Sequence, residues 1–114
     1  MRYMLLTTDV DNKNGRIYPL KEVQLAIKTI ATLPINISEQ DELAGTFSDF
    51  KLEGNVLTGR LTSNQASAEG QLLGLIESDS DYVMCGTGFV DEKTGAISKW
   101  SPHYVSVVPK GTAA

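Results

Sequence analysis

The chain is poor in the residues that cross-link a small domain or give it a cofactor site. Its 114 residues include one cysteine, Cys85, and one histidine, His103. A single cysteine closes no internal disulfide, and one cysteine with one histidine cannot fill the four positions of a structural zinc site. No metal and no cofactor are expected. Long apolar runs are missing as well: stretches such as Met4-Leu5-Leu6 are far short of the ~20 residues that cross a bilayer as a helix. Met1-Arg2-Tyr3 leads into Thr7, Thr8 and Asp9 without a cleavage-site pattern, so the reading is of no membrane span and no secretory signal. Basic clusters and aromatic ladders are also lacking. Residues 1–32 carry five basic and three acidic side chains, 33–95 three and eleven, and 96–114 two and none, which gives local charges of +2, −8 and +2. An acidic middle repels phosphate, so direct nucleic-acid binding is not expected.

What is present is the composition of one folded domain. Apolar residues make up 41% of the chain and charged residues 21%, both ordinary for a globular protein. We assign residues 1–109 to that domain and 110–114 to a short C-terminal tail. With no disulfide or metal available, packing must stabilise it.

Hydrophobic spacing supplies the elements. Tyr3 to Thr8 is rich in strand formers and ends in a loop cluster, Asp9 to Gly15, with a positive-φ signal at Asn14-Gly15. Pro19 suits a helix start, and Leu20, Val23, Ala26, Ile27 and Ile30 recur at helical spacing, predicting a helix over 20–31. Leu33-Pro34 breaks it and opens a short extended segment, Ile35-Asn36-Ile37. Ala44–Glu53 and Val56–Thr62 read as a hairpin about Gly54-Asn55. Ser63 or Asn64 can cap a second helix near 65–77, whose inner face would carry Ala68, Leu72, Leu75 and Ile76; Gly70 and Gly74 weaken it. Tyr82–Val90 reads as a buried strand, followed by a turn, a strand at 96–100 and a last strand at 104–108 after Pro102. Strands interrupted by two helices predict an α+β domain with a mainly antiparallel, barrel-like sheet.

Few residues offer chemistry. Cys85 and His103 are the one thiol and imidazole from which a nucleophile and base could be built; the plainer reading is a small buried thiol and a surface histidine. Asp9, Asp11, Asn12 and Asn14 resemble the start of a calcium loop. Position 21, where such a loop needs its glutamate, is Lys21, so a polar turn is the better reading. Gly86-Thr87-Gly88 lacks the Lys-Ser/Thr of a phosphate loop and instead marks close backbone approach within a sheet. The acidic Ser78 to Asp81 and Asp91-Glu92 read as solvated loops. Tyr18, Trp100 and Tyr104 suit either an interface or the core.

Five strings, taken together and in order, resemble a known family. They are Asn12 to Pro19 before the helix, Leu33 to Ile37, Leu43 to Phe50, Cys85 to Val90, and Tyr104 to Pro109. They resemble the prohead (capsid maturation) proteases of tailed bacteriophages, which share the fold of the herpesvirus assembly proteases. The likeness spans about residues 3–109. It implies a serine nucleophile, a histidine base and a third group that holds the base. The register puts the base at Ile37, Ser38 or Glu39, the nucleophile at Gly86 flanked by Cys85 and Thr87, and the supporting group at Tyr104, preceded by His103. All three places depart from the family's pattern.

The resemblance implies the fold and a capsid connection; the three departures add the expectation of a role without catalysis, from which we infer, most concretely, a decoration protein of the phage head. Its partners would be the major capsid protein and further copies of itself, and its location the virion, assembled in the host bacterial cytoplasm. The alternatives are an active maturation protease using Cys85 and His103, or a generic head or tail adaptor. Candidate contact residues are Asn14, Gly15, Tyr18, Trp100, Tyr104 and Lys110.

Overall fold

The computed structural model describes residues 1–10, 12, 15–36 and 44–111. Its centre is the hairpin at Gly54. Strand β3 (Gly45–Glu53) ends where Gly54 adopts φ +62°, a left-handed conformation that suits a residue without Cβ, and β4 (Val56–Ser63) returns with Val56 opposite Glu53. Period two then puts Phe47, Leu57 and Leu61 on one face, all buried. The remaining strands extend this pair in both directions. Strand β1 (Arg2–Thr7) pairs antiparallel with β4, and β2 (Thr32–Asn36) pairs antiparallel with β3. Strand β6 (Ile97–Pro109) joins β2 in parallel at Ile35 and Asn36, and β5 (Ser80–Val90) pairs antiparallel with β6.

The order is thus β1-β4-β3-β2-β6-β5, a six-stranded sheet with one parallel junction. It curls into a half-barrel around Leu5, Leu33, Ile35, Phe47, Leu57 and Val105, each at most 5% exposed. Helices α1 (Leu20–Ile27) and α2 (Ala68–Ile76) add Val23, Ala26 and Leu73 to the same core. The expected α+β class, with a mainly antiparallel curled sheet and two helices, is the observed one.

Several local expectations are corrected. Helix α1 stops at Ile27 rather than 31, because the Thr29 N–H and hydroxyl both donate to the Ala26 carbonyl and tighten the last turn. Pro34 lies inside β2 instead of before an extended segment, and the parallel ladder to β6 begins one residue later. The cap of α2 is Ser67, whose hydroxyl accepts the Gly70 N–H at 2.9 Å, and not Ser63 or Asn64. Asn64 instead holds the preceding turn, its amide oxygen accepting the Ala66 N–H. The buried face of α2 is Gly70 and Leu73, whereas Leu72 and Leu75 are 43% and 81% exposed. Gly70 is the reason: a Cβ there would stand 1.7 Å from the Asn64 carbonyl oxygen, so the glycine that weakens the helix is what lets it pack. Finally, 96–100 and 104–108 form one continuous strand through the buried Pro102, and Lys99 takes φ 52° within it.

Candidate functional site

The first half of β5 alternates, with Ser80, Tyr82 and Met84 buried, but from Gly86 to Val90 every residue is exposed. The expectation of a buried strand throughout 82–90 therefore fails for its outer half. The reason is that this outer arm of β5 is a sheet edge paired with β6 alone; β6 itself stays anchored, with Ile97 and Trp100 in the core and the Ile97 N–H donating to the Ile17 carbonyl. Register shifts at Cys85/Gly86 and Thr87/Phe89 mark bulges, which re-aim side chains.

On this arm the Thr87 hydroxyl oxygen lies 3.1 Å from Nε2 of His103, with both residues exposed. A hydroxyl bonded to an imidazole is the first link of a nucleophile–base relay. Among the described residues no group bonds the other ring nitrogen, the contact that would fix the tautomer. Sequence reading placed Thr87 beside the nucleophile position but paired His103 with Cys85. Only the bulged register brings His103 to Thr87, and no spacing rule encodes it.

Cys85 has other neighbours. Its Sγ is 3.6 Å from both the Ser106 hydroxyl and the Val83 carbonyl oxygen. Tyr104 stands directly opposite it across the ladder, and the nearby Cys85 sulfur, by charge and then by hydrogen bonding, raises the phenol's pKa. Gly86, in the nucleophile's register, has no room for a side chain: a Cβ would lie 2.1 Å from the Ser101 carbonyl oxygen and 2.6 Å from Pro102 Cα. These are backbone atoms, so a serine there requires β6 to move. The base positions Ile37, Ser38 and Glu39 lie outside the described residues, as do Asp11 and Asn14.

The remaining candidates fall elsewhere. Tyr18 packs edge-on against Trp100 at 5.1 Å, and Trp100 is 9% exposed, within the core. Burial, and secondarily the Cys85 sulfur, raises the Tyr18 pKa. Gly15, at φ +73°, closes a turn by donating its N–H to the Asn12 carbonyl. The polar loop is built into the fold: the Asp9 carboxylate accepts the Leu20 N–H at the start of α1, and the Asn12 amide oxygen accepts the Arg16 N–H. Lys110 is exposed, its Nζ 3.4 Å from the Ser78 carbonyl oxygen. Among the described residues no three His, Cys, Asp or Glu side chains gather where a metal ion would sit. No helix among them is long and apolar enough to cross a membrane.

The half-barrel with its two helices is a prohead-protease-like fold. Among solved structures the chain is similar to the capsid assembly protease of bacteriophage T4, gp21. The TM-score is 0.74 and the identity 19%, over 95% of this chain and 79% of that one. The sequence matches no protein-family model and no curated protein.

Proposed function

We propose that the protein is a noncatalytic capsid-binding component of a tailed phage, most concretely a decoration protein of the head that works as a homo-oligomer in the virion. The observation that carries the reading is Gly86. In the family's register it occupies the nucleophile's place, and the Ser101 and Pro102 backbone closes the space a side chain would need. The likeness in fold to a phage capsid assembly protease supports the capsid connection. Loss of triad members removes most of the rate acceleration of such a site. A binding surface needs no reacting groups, and a small acidic domain suits that work.

A second reading, a maturation protease, is favoured by one contact, the 3.1 Å pairing of Thr87 with His103. Incubating the protein with its cognate capsid subunit and scaffold, followed by intact mass measurement, separates the two. The decoration reading expects no cleavage. Specific cleavage lost in Thr87→Val and His103→Ala would establish the second reading, and cleavage lost in Cys85→Ala would establish a thiol mechanism instead.

A further inference from the structure

The outer half of β5 is a free sheet edge, and hydrogen bonds fix where its backbone groups point. At one end of the strand the Lys110 N–H donates to the Asp79 carbonyl at 3.3 Å, which makes Ser80 and Pro109 a facing pair that exchanges no bonds. At the other end the Asp91 N–H donates to the Ala96 carbonyl at 2.9 Å, and Val90 and Ile97 face each other in the same way. Both register shifts between these ends leave their extra residue on β6, so β5 itself keeps its alternation. Its odd-numbered residues bond to β6, and its even-numbered residues direct N–H and C=O to the opposite side.

That opposite side changes along the strand. Tyr82 and Met84 are buried, and the Tyr3 and Tyr82 ring centres lie 4.9 Å apart, so β1 closes the inner half. Gly86 and Gly88 are exposed. A glycine has no side chain to account for its exposure, so solvent reaches the main chain itself at these two positions. Val90 is 37% exposed, and among the described residues nothing bonds the outward backbone groups of Gly86, Gly88 or Val90. The devices that usually blunt such an edge are missing, since residues 82–90 contain no charge and no proline. Phe89, 67% exposed, stands on the same stretch.

We propose that the partner of this edge is the same edge of a second copy, the two β5 strands pairing antiparallel about a two-fold axis at Gly88. The outward set is symmetric about that point: Gly88 faces Gly88, and Gly86 faces Val90 on either side, each pair exchanging both of its N–H···O bonds. Phe89 of each copy then faces the other copy's Thr87 in the closer, unbonded register, which covers the exposed ring. Charge allows this seam in a chain whose net charge of −4 otherwise repels its copies. The nearest acid is Asp91, whose carboxylate accepts the Lys93 and Thr94 N–H groups of its own turn. Glu92, Lys93 and Arg16 line the same turn, so acids and bases balance there, and the turn would meet the uncharged Cys85 and Met84 of the other copy. The two turns lie at opposite ends of the seam, roughly 20 Å apart and beyond the ~10 Å screening length. Lys99, over the Phe89 ring, and His103, bonded to Thr87, belong to β6 on the side away from the seam. The inference rests on the homo-oligomer in the proposed function and names its interface.

A seam limited to residues 86–90 is smaller than the ~800 Å² per partner of a stable dimer, so association is expected between about 10 μM and 1 mM. Sedimentation equilibrium of the full chain over that range tests it, with amide exchange measured across the same series. A reversible monomer–dimer transition without larger species is expected. The Gly86, Gly88 and Val90 amides should gain protection as the dimer forms, while Thr87 and Phe89, bonded to β6, exchange slowly at every concentration. Val90→Pro removes an N–H that bonds nothing within one copy and should weaken dimerisation at least about tenfold; the exchange measurement needs no variant. A monomer across the whole range, an open-ended assembly, a dimer whose even-numbered amides stay unprotected, or one indifferent to Val90→Pro overturns the inference. The last two results are what pairing through the exposed Leu72 and Leu75 of α2 would produce. Protection that appears only when capsid subunit is added assigns the edge to a capsid segment and overturns it too. Capsid binding by a chain that stays monomeric removes this interface and leaves the capsid reading standing. Dimerisation through these amides without capsid binding does the reverse.

Discussion

The two halves of β5 share a strand and a partner and differ in everything else. From Ser80 to Cys85 the side chains alternate, and Tyr82 stacks edge-on against Phe47 at 5.2 Å and touches Tyr3. From Gly86 to Val90 the chain is exposed and bulged, and glycine occupies two of its five positions. The inner half is constrained by the core. The outer half is constrained only by its backbone partner, so its side chains can change without unfolding the domain. The outer half carries the position, Gly86, where the family resemblance expects the nucleophile, so the residue there can differ while the core that defines the fold is kept.

Truncation should separate the halves most strongly. Phe47→Ala, at a fully buried position against Tyr82, should cost about 3–5 kcal/mol in urea unfolding. Phe89→Ala, at a residue 67% exposed beneath Lys99, should stay within about 0.5 kcal/mol. Equal losses would show that the arm is part of the core.

Adding a side chain should reveal the one tight place on the arm. Gly86→Ser must displace the Ser101 and Pro102 backbone, and a cost of about 1–3 kcal/mol is expected from overpacking, with no proteolysis gained. A contrast within α2 calibrates it. Gly70→Ala should destabilise, because its Cβ meets the Asn64 carbonyl, while Gly74→Ala, with nothing nearer than 3.7 Å, should stabilise by roughly 0.5–1 kcal/mol through helix propensity. Thermal unfolding of both variants reads the opposite signs.

The smallest effect concerns tyrosine ionisation. Burial, followed by the Glu77 contact, pushes Tyr3 up to about 12, and burial raises Tyr82 as well. A phenol that holds its proton more tightly when folded stabilises the fold below its unfolded value near 10; that stability is lost as pH rises from 10 through 12. Tyr3→Phe should therefore flatten the alkaline fall in stability. On the arm the leading cause is the sulfur, so Cys85→Ala should lower the spectrophotometric midpoint of Tyr104 and leave Tyr3 unchanged.

Legibility followed the same division. The hairpin at Gly54, the strand at β1 and the start of α1 were readable because local turn chemistry and periodicity agree with the packing there. The face of α2 was misread because Leu72 and Leu75 outweigh Gly70 in any hydrophobic count, whereas close approach depends on what a residue lacks. The pairing of Thr87 with His103 was out of reach, since it depends on two bulges and on Pro102 lying within β6. That β1 and β5 approach without pairing depends on how far the sheet curls, which no local pattern specifies. Of the contact candidates, Trp100 and Tyr18 are engaged with each other, and Asn14 lies outside the described residues.

The central claim is that this domain binds capsids and does not cut them. Quantitative mass spectrometry of purified phage heads tests it most directly, by counting copies of this chain against the major capsid protein. The account predicts many copies, in a fixed ratio set by the capsid's symmetry, beside capsid subunits whose cleavage does not depend on this chain. Absence from the particle, or a few copies accompanied by subunits that remain uncut when Thr87 or His103 is replaced, would contradict it.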